Sequence, residues 1–150
     1  AEEDMEGLSW AIWRMCQDTI SSVEATAAQI QLQAFSRQLI GWTGDYDVLL
    51  TPALAEAPTE HGVIDPQAAD PMGSFTRSGH FTPYTAVFNV SGQPAVTVPL
   101  FEREDGIATP LSVQLVGQPA EEGALLALCA QLEAARPWAQ RRPAPAAAQA

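Results

Sequence analysis

The stretch FTPYTAVFNVSGQPAVTVPL, residues 81–100, carries a helix signal, a turn signal and a strand signal in succession. Thr82 is placed to cap a helix, with Pro83 at the first helical position, where no amide hydrogen is needed. Phe81, Tyr84, Thr85 and Phe88 would then share one face, and Gly92 suits the left-handed residue that ends a helix. Residues 95–100 read as a strand. A helix leading directly into a strand points to an α/β fold, and it poses a question: does this stretch perform chemistry, or does it wall a site whose reactive groups lie elsewhere?

Downstream, residues 102–109 form a polar turn around Gly106, and residues 111–117 read as a second strand. A last helix spans about residues 120–136, with Glu121 and Glu122 at its positive end and Arg136 at its negative end. Its buried stripe is Leu125, Leu128, Cys129 and Leu132, and Pro137 stops it. Residues 1–140 are expected to form the ordered portion, and the Pro- and Ala-rich residues 141–150 a flexible tail.

Upstream, Leu8, Ala11, Ile12, Met15 and Cys16 follow the spacing of one helical face. Ser21 and Glu24 have capping-box spacing and open a second helix through Ile30, Leu32, Phe35, Leu39 and Trp42, ended by Gly41 and Gly44. Residues 46–52 read as a strand buried on both faces. Residues 57–80, rich in Pro, Gly, Asp and Ser, read as a long loop with a functional role. The order of helices and strands predicts α/β layering, with a mixed β-sheet flanked by helices.

Composition narrows the function. Of the 47% hydrophobic residues, 26 are alanine, while Leu, Ile, Val and Phe together number only 33. Large core residues are therefore scarce, and the chain is expected to lean on another protein surface. A net charge of −11 disfavours binding to a phosphate backbone, so no nucleic-acid partner is expected. Cys16 and Cys129 lie far apart on apolar helical patterns and read as buried free thiols. Metal-ligand spacing is missing, so neither a metal nor another cofactor is expected. With no long apolar run and no signal-peptide pattern, the expected compartment is the cytoplasm and no membrane partner is expected. All seven basic residues are arginine; there is no lysine. The chain begins with alanine and enters a helical pattern almost at once, as a piece of a longer chain would.

Candidates for chemistry are few. Ser78-Gly79-His80 offers a serine and a histidine, and His61 is the only other histidine, but no Gly-x-Ser-x-Gly elbow is present. The carboxylate pairs Asp45/Asp47 and Glu102/Glu104 sit in turn-like sequence and read as solvated charge. Trp10, Trp13, Phe35 and Trp42 read as packing residues.

Four segments in order resemble the amidase signature family: residues 46–54 (YDVLLTPAL), residues 81–89 with the following residues 92–100 (GQPAVTVPL), residues 110–117 (PLSVQLVG), and residues 125–138. The nearest likeness is to bacterial aliphatic or aromatic amidases and to the cyclic-amide hydrolases that act on nylon oligomers. The resemblance is to the C-terminal portion of the family and implies the C-terminal part of the amidase signature fold. Members cleave amides with a serine nucleophile, a second serine and a lysine base, all contributed by an upstream segment that has no counterpart here. The resemblance thus implies no catalytic residue in this chain and no activity alone. It implies as partners a small-molecule amide bound by the complete enzyme and the missing N-terminal amidase portion; a homodimer is compatible with it. In the glutamine-specific branch an aspartate stands seven residues before the asparagine corresponding to Asn89; here that position is Thr82, which implies a less polar acyl group. Phe81, Thr82 and Tyr84 are the substrate-binding candidates, and Asn89 is expected to satisfy backbone groups near the helix end. Two other readings remain: a stand-alone non-catalytic binding or interaction module derived from the same fold, and a serine hydrolase using His80.

Overall fold

The computed structural model describes residues 2–17, 19–103 and 109–141. After a short 3-10 turn the elements run α1 (Gly7–Cys16), α2 (Ser22–Thr43), β1 (Val48–Pro52), α3 (Pro71–Phe81), α4 (Ala86–Ser91), β2 (Ala95–Glu102), β3 (Pro110–Gly117) and α5 (Glu122–Ala135). The strands form one antiparallel sheet in the order β1-β3-β2. The mixed sheet expected of the fold is represented, among the described residues, by these three antiparallel strands.

The predicted caps explain several boundaries. Ser21 Oγ accepts from the Glu24 amide, and the Glu24 carboxylate accepts from both the Ser21 amide and its hydroxyl, completing the capping box of α2. Those bonds, the backbone amide foremost and the hydroxyl second, hold the Glu24 carboxyl below its ordinary value. At the other end of the fold, Gly92 takes the left-handed conformation (φ 72°) that closes α4 before the chain enters β2.

The core lies between the sheet and α5. Val98, Leu115 and Leu125 are its buried centre, with Leu128, Cys129 and Leu132 of the predicted stripe packed against them. Gly117 lets this contact close, because a Cβ there would stand only 3.0 Å from the Leu125 side chain. β2 carries an irregularity between Val98, which faces Val113, and Phe101, which faces Leu111. Three steps on β2 thus match two on β3, so Val98 and Phe101 fall on the same face despite their odd spacing.

Four expectations are corrected. The long loop of residues 57–80 holds a helix from Pro71 onward: Asp70 caps it by accepting from the Gly73 amide at 2.9 Å, and Pro71 occupies the first turn. Thr82 is accordingly the end of α3 and not the start of the next helix, since its amide and hydroxyl both donate to the Ser78 carbonyl. Phe81, Tyr84, Thr85 and Phe88 therefore do not share one helical face; Phe81 closes α3, Tyr84 lies in the turn, and α4 begins at Ala86. Finally, β1 is an edge strand, and Leu50 is 61% exposed. Arg141, the first residue of the expected tail, is held by bonds to the Pro137 and Pro99 carbonyls. Residues 142–150 lie outside the described residues, as do Glu104 and Gly106.

Candidate functional site

Where β1 and β2 leave the sheet and β3 enters it, an open cleft of about 1170 Å³ is lined by Leu50, Pro52, Phe101 and Leu111 on the strand side and by Thr82 and Thr85 on the helix side. A smaller cavity of about 410 Å³ shares Thr85 and Thr97 with it and extends to Asn89, Gln93 and Gln114. The cleft follows from the strand ends. Phe101 lines it from the end of β2, past the irregularity, and Leu50 from β1, which has no outer neighbour among the described strands.

Three glutamines tie the sheet to its surroundings, Gln114 beside the cleft and Gln93 and Gln118 toward the far end of β3. Gln114, buried on the central strand, donates through Nε2 to Thr51 Oγ1 (3.2 Å) and to the Tyr84 carbonyl (3.0 Å), tying β1 and the turn before α4 to β3. Gln93 donates to Thr43 Oγ1 (3.2 Å) and to the Gly117 carbonyl (3.1 Å). Gln118 donates to the carbonyls of Thr43 (2.6 Å) and Tyr46 (2.8 Å), fixing the turn between α2 and β1. The two Gln93 bonds are buried and satisfy acceptors that would otherwise be unpaired there, while those of Gln114 and Gln118 are part-buried or exposed.

The segment after β1 is stitched to the last turn of α3. The Ala55 amide donates to the Phe81 carbonyl at 3.1 Å, and Arg77 Nη1 meets Glu56 Oε1 at 2.5 Å. The Arg77 guanidinium also stands 5.8 Å from the centre of the Phe81 ring, one turn along the same helix. Of the three substrate-binding candidates, only Thr82 lines the cleft. Its hydroxyl hydrogen is spent on the Ser78 carbonyl, which leaves the oxygen lone pairs for an incoming donor. Phe81 contributes behind the wall, through its carbonyl and the Arg77 contact, and Tyr84 through the carbonyl held by Gln114. Asn89 is exposed on the rim of the smaller cavity, and the buried bond to a backbone carbonyl expected of it is made by Gln93.

Among the described residues, the serine and histidine of the 78–80 stretch are not brought together. Ser78 and His80 sit two positions apart on α3, a spacing at which side chains do not face each other. His61, Asp45 and Asp47 are exposed, and Glu102 pairs with Arg141. Among the described residues no cluster of His, Cys, Asp and Glu could hold a metal, and no helix is long and apolar enough to cross a membrane.

A model of the family described as Amidase matches residues 10–126. The chain belongs to the amidase family. It is 46% identical over 99 residues to the protein named Putative amidase AmiB2 of Mycobacterium tuberculosis, covering 66% of this chain and 21% of that one. It is 32% identical over 148 residues to the 6-aminohexanoate-cyclic-dimer hydrolase of a Pseudomonas species, covering 95% of this chain and 29% of the relative. The solved structure of 6-aminohexanoate cyclic dimer hydrolase complexed with substrate superposes with a TM-score of 0.82 at 31% identity, covering 95% of this chain and 30% of that one. The fold is therefore α/β, a part of the amidase signature fold, and this amidase chain spans between a fifth and a third of the length of those relatives. That span agrees with the C-terminal portion that residues 46–54, 81–100, 110–117 and 125–138 resemble.

Proposed function

We propose that this chain is the C-terminal portion of an amidase whose complete form hydrolyses carboxamide C–N bonds through an acyl-serine intermediate. The observation that carries the reading is a family match over most of the chain, combined with a span of less than a third of its relatives and a total absence of lysine. A serine-serine-lysine mechanism needs that base, so the two serines and the lysine come from the preceding amidase portion, and the chain alone is inactive. Its part is to wall the acyl pocket. Thr82 offers an acceptor oxygen to the substrate, while Phe81 and Tyr84 hold the wall from behind. The apolar lining from Leu50, Phe101 and Leu111 suits a hydrocarbon acyl chain. The free thiols Cys16 and Cys129 support a reducing, cytoplasmic setting.

The test measures release of amine or ammonia from simple carboxamides by the purified chain, by the natural protein detected with an antibody to this segment, and by both after heating. No turnover by the chain and heat-labile turnover by a larger natural protein is the expected result. Heat-labile turnover by the chain alone, lost in His80→Ala, would sink the reading in favour of a hydrolase built on His80. A natural product of 16.0 kDa that unfolds sharply as a monomer and never turns over would instead identify a stand-alone binding module.

A further inference from the structure

Three charged side chains line the cleft: Glu56, Glu102 and Arg103. None stands as an isolated charge. Glu56 is paired with Arg77 at 2.5 Å and Glu102 with Arg141 at 3.2 Å, and Arg103 is itself engaged. The two pairing arginines do not line the cleft; they compensate the carboxylates from behind. Arg77 is the better placed of them. It rises from α3 one turn before Phe81, stands over that ring, and meets Glu56 on a segment already pinned by the bond from Ala55 to Phe81. Its position is therefore set by the helix before any ligand arrives.

We propose that Arg77 determines the charge selectivity of the cleft: by masking the Glu56 carboxylate, it makes the cleft accept a carboxamide with an uncharged acyl chain and turn away one that ends in an ammonium group. This rests on the cleft being the acyl pocket of the amidase proposed above. An ammonium entering the wild-type cleft meets a carboxylate whose charge is already answered, and loses its own hydration without a partner. A carboxylate entering meets Glu56 and Glu102, themselves negative, and an Arg103 that is already engaged. A neutral hydrocarbon chain loses nothing and buries apolar surface against Leu50, Phe101 and Leu111. Because the Glu56 and Arg77 side chains are 47% and 34% exposed, water screens the pair and the discrimination is modest.

The experiment titrates the chain with three probes followed by backbone amide NMR at Thr82, Thr85 and Thr97: pentanamide, 5-aminopentanamide and glutaramate. Wild type is expected to bind pentanamide most tightly. Arg77→Met should leave pentanamide within about two-fold and raise the affinity for 5-aminopentanamide by about three- to ten-fold, a gain that fades at high salt. Arg77→Met with Glu56→Gln should lose that gain. Glu56→Gln alone, which keeps the helix arginine, should instead raise the affinity for glutaramate. Arg77→Lys should retain the wild-type order. Equal weakening of all three probes in Arg77→Met would make Arg77 merely structural and overturn the proposal. So would a wild-type chain that binds 5-aminopentanamide as tightly as pentanamide; in that case the amide reading of the cleft stands while the selectivity falls. If no amide perturbs the cleft, the reading of the cleft itself fails, and the proposal with it.

Discussion

The central strand β3 and the helix α2 are opposites. The last four residues of β3 are all buried, held by β1 on one side and β2 on the other. The helix α2 is 22 residues long, yet only Thr43 at its end is buried. Most of its large apolar residues are open to solvent, Val23 at 76% and Trp42 at 61% exposed, while Leu39 and Ile40 are half-buried, and Ser36 anchors it through the Val90 carbonyl at 3.0 Å. The contrast teaches that the chain completes its own interior only around the sheet and α5. There, a few large residues suffice because glycine and glutamine bring backbones close. Along α2 the same scarcity of large partners leaves an apolar surface without cover from the other described residues.

The contrast can be broken most forcefully at the sheet. Leu125→Ala should cost about 2–5 kcal/mol, because it empties the contact that Gly117 was needed to form; a loss below about 1 kcal/mol in chemical denaturation would mean that the interior is not closed there. Gln93→Ala should cost about 1–3 kcal/mol by removing the donor to the Gly117 carbonyl in buried surroundings and one of the bonds of the Thr43 hydroxyl. The same measurement checks it, and a neutral result would show that water reaches the joint.

Smaller effects belong to α2. Ser21→Ala should lower stability by about 1 kcal/mol through loss of the cap. The pH dependence has a definite sign: Glu24 is held below its ordinary carboxyl value, so its contribution is present above the unfolded value and is lost as pH falls through the folded one. Protection of the first amides of α2, taken relative to the intrinsic exchange rate at each pH, should therefore fall on acidification in the wild type, and Ser21→Ala should show low protection throughout. Smallest of all, Trp42→Ser should change the stability of this chain by no more than about 0.5 kcal/mol. A clearly larger loss would mean that α2 is covered after all, by a second copy or another surface.

Elements whose signals are local were legible in the sequence. The Ser21–Glu24 box, the Gly92 cap, the stripe on α5 and the two later strands need only neighbours a few residues away. The helix α3 was hidden because its Asp70–Pro71 start lies among Pro, Gly and Ser, and its apolar residues are too sparse to show a period. That β1 lies at an edge depends on which strands join it, and no local pattern carries that. The candidate site divides in the same way. Thr82 stands out within its motif, whereas Gln114 and Arg77 look like ordinary surface residues until partners 63 and 21 positions away come into contact with them.

The three glutamine clamps have a consequence for chemical ageing. Gln93, Gln114 and Gln118 all present their amide nitrogen to carbonyl or hydroxyl oxygens. Deamidation of any one would replace that donor with a carboxylate oxygen, turning attraction into repulsion at the same position. At Gln118 the new charge would face two backbone carbonyls at once. A chain from a family named for amides is thus joined by side-chain amides of its own, and the slow hydrolysis of one of them would loosen α2 from the sheet without breaking the backbone.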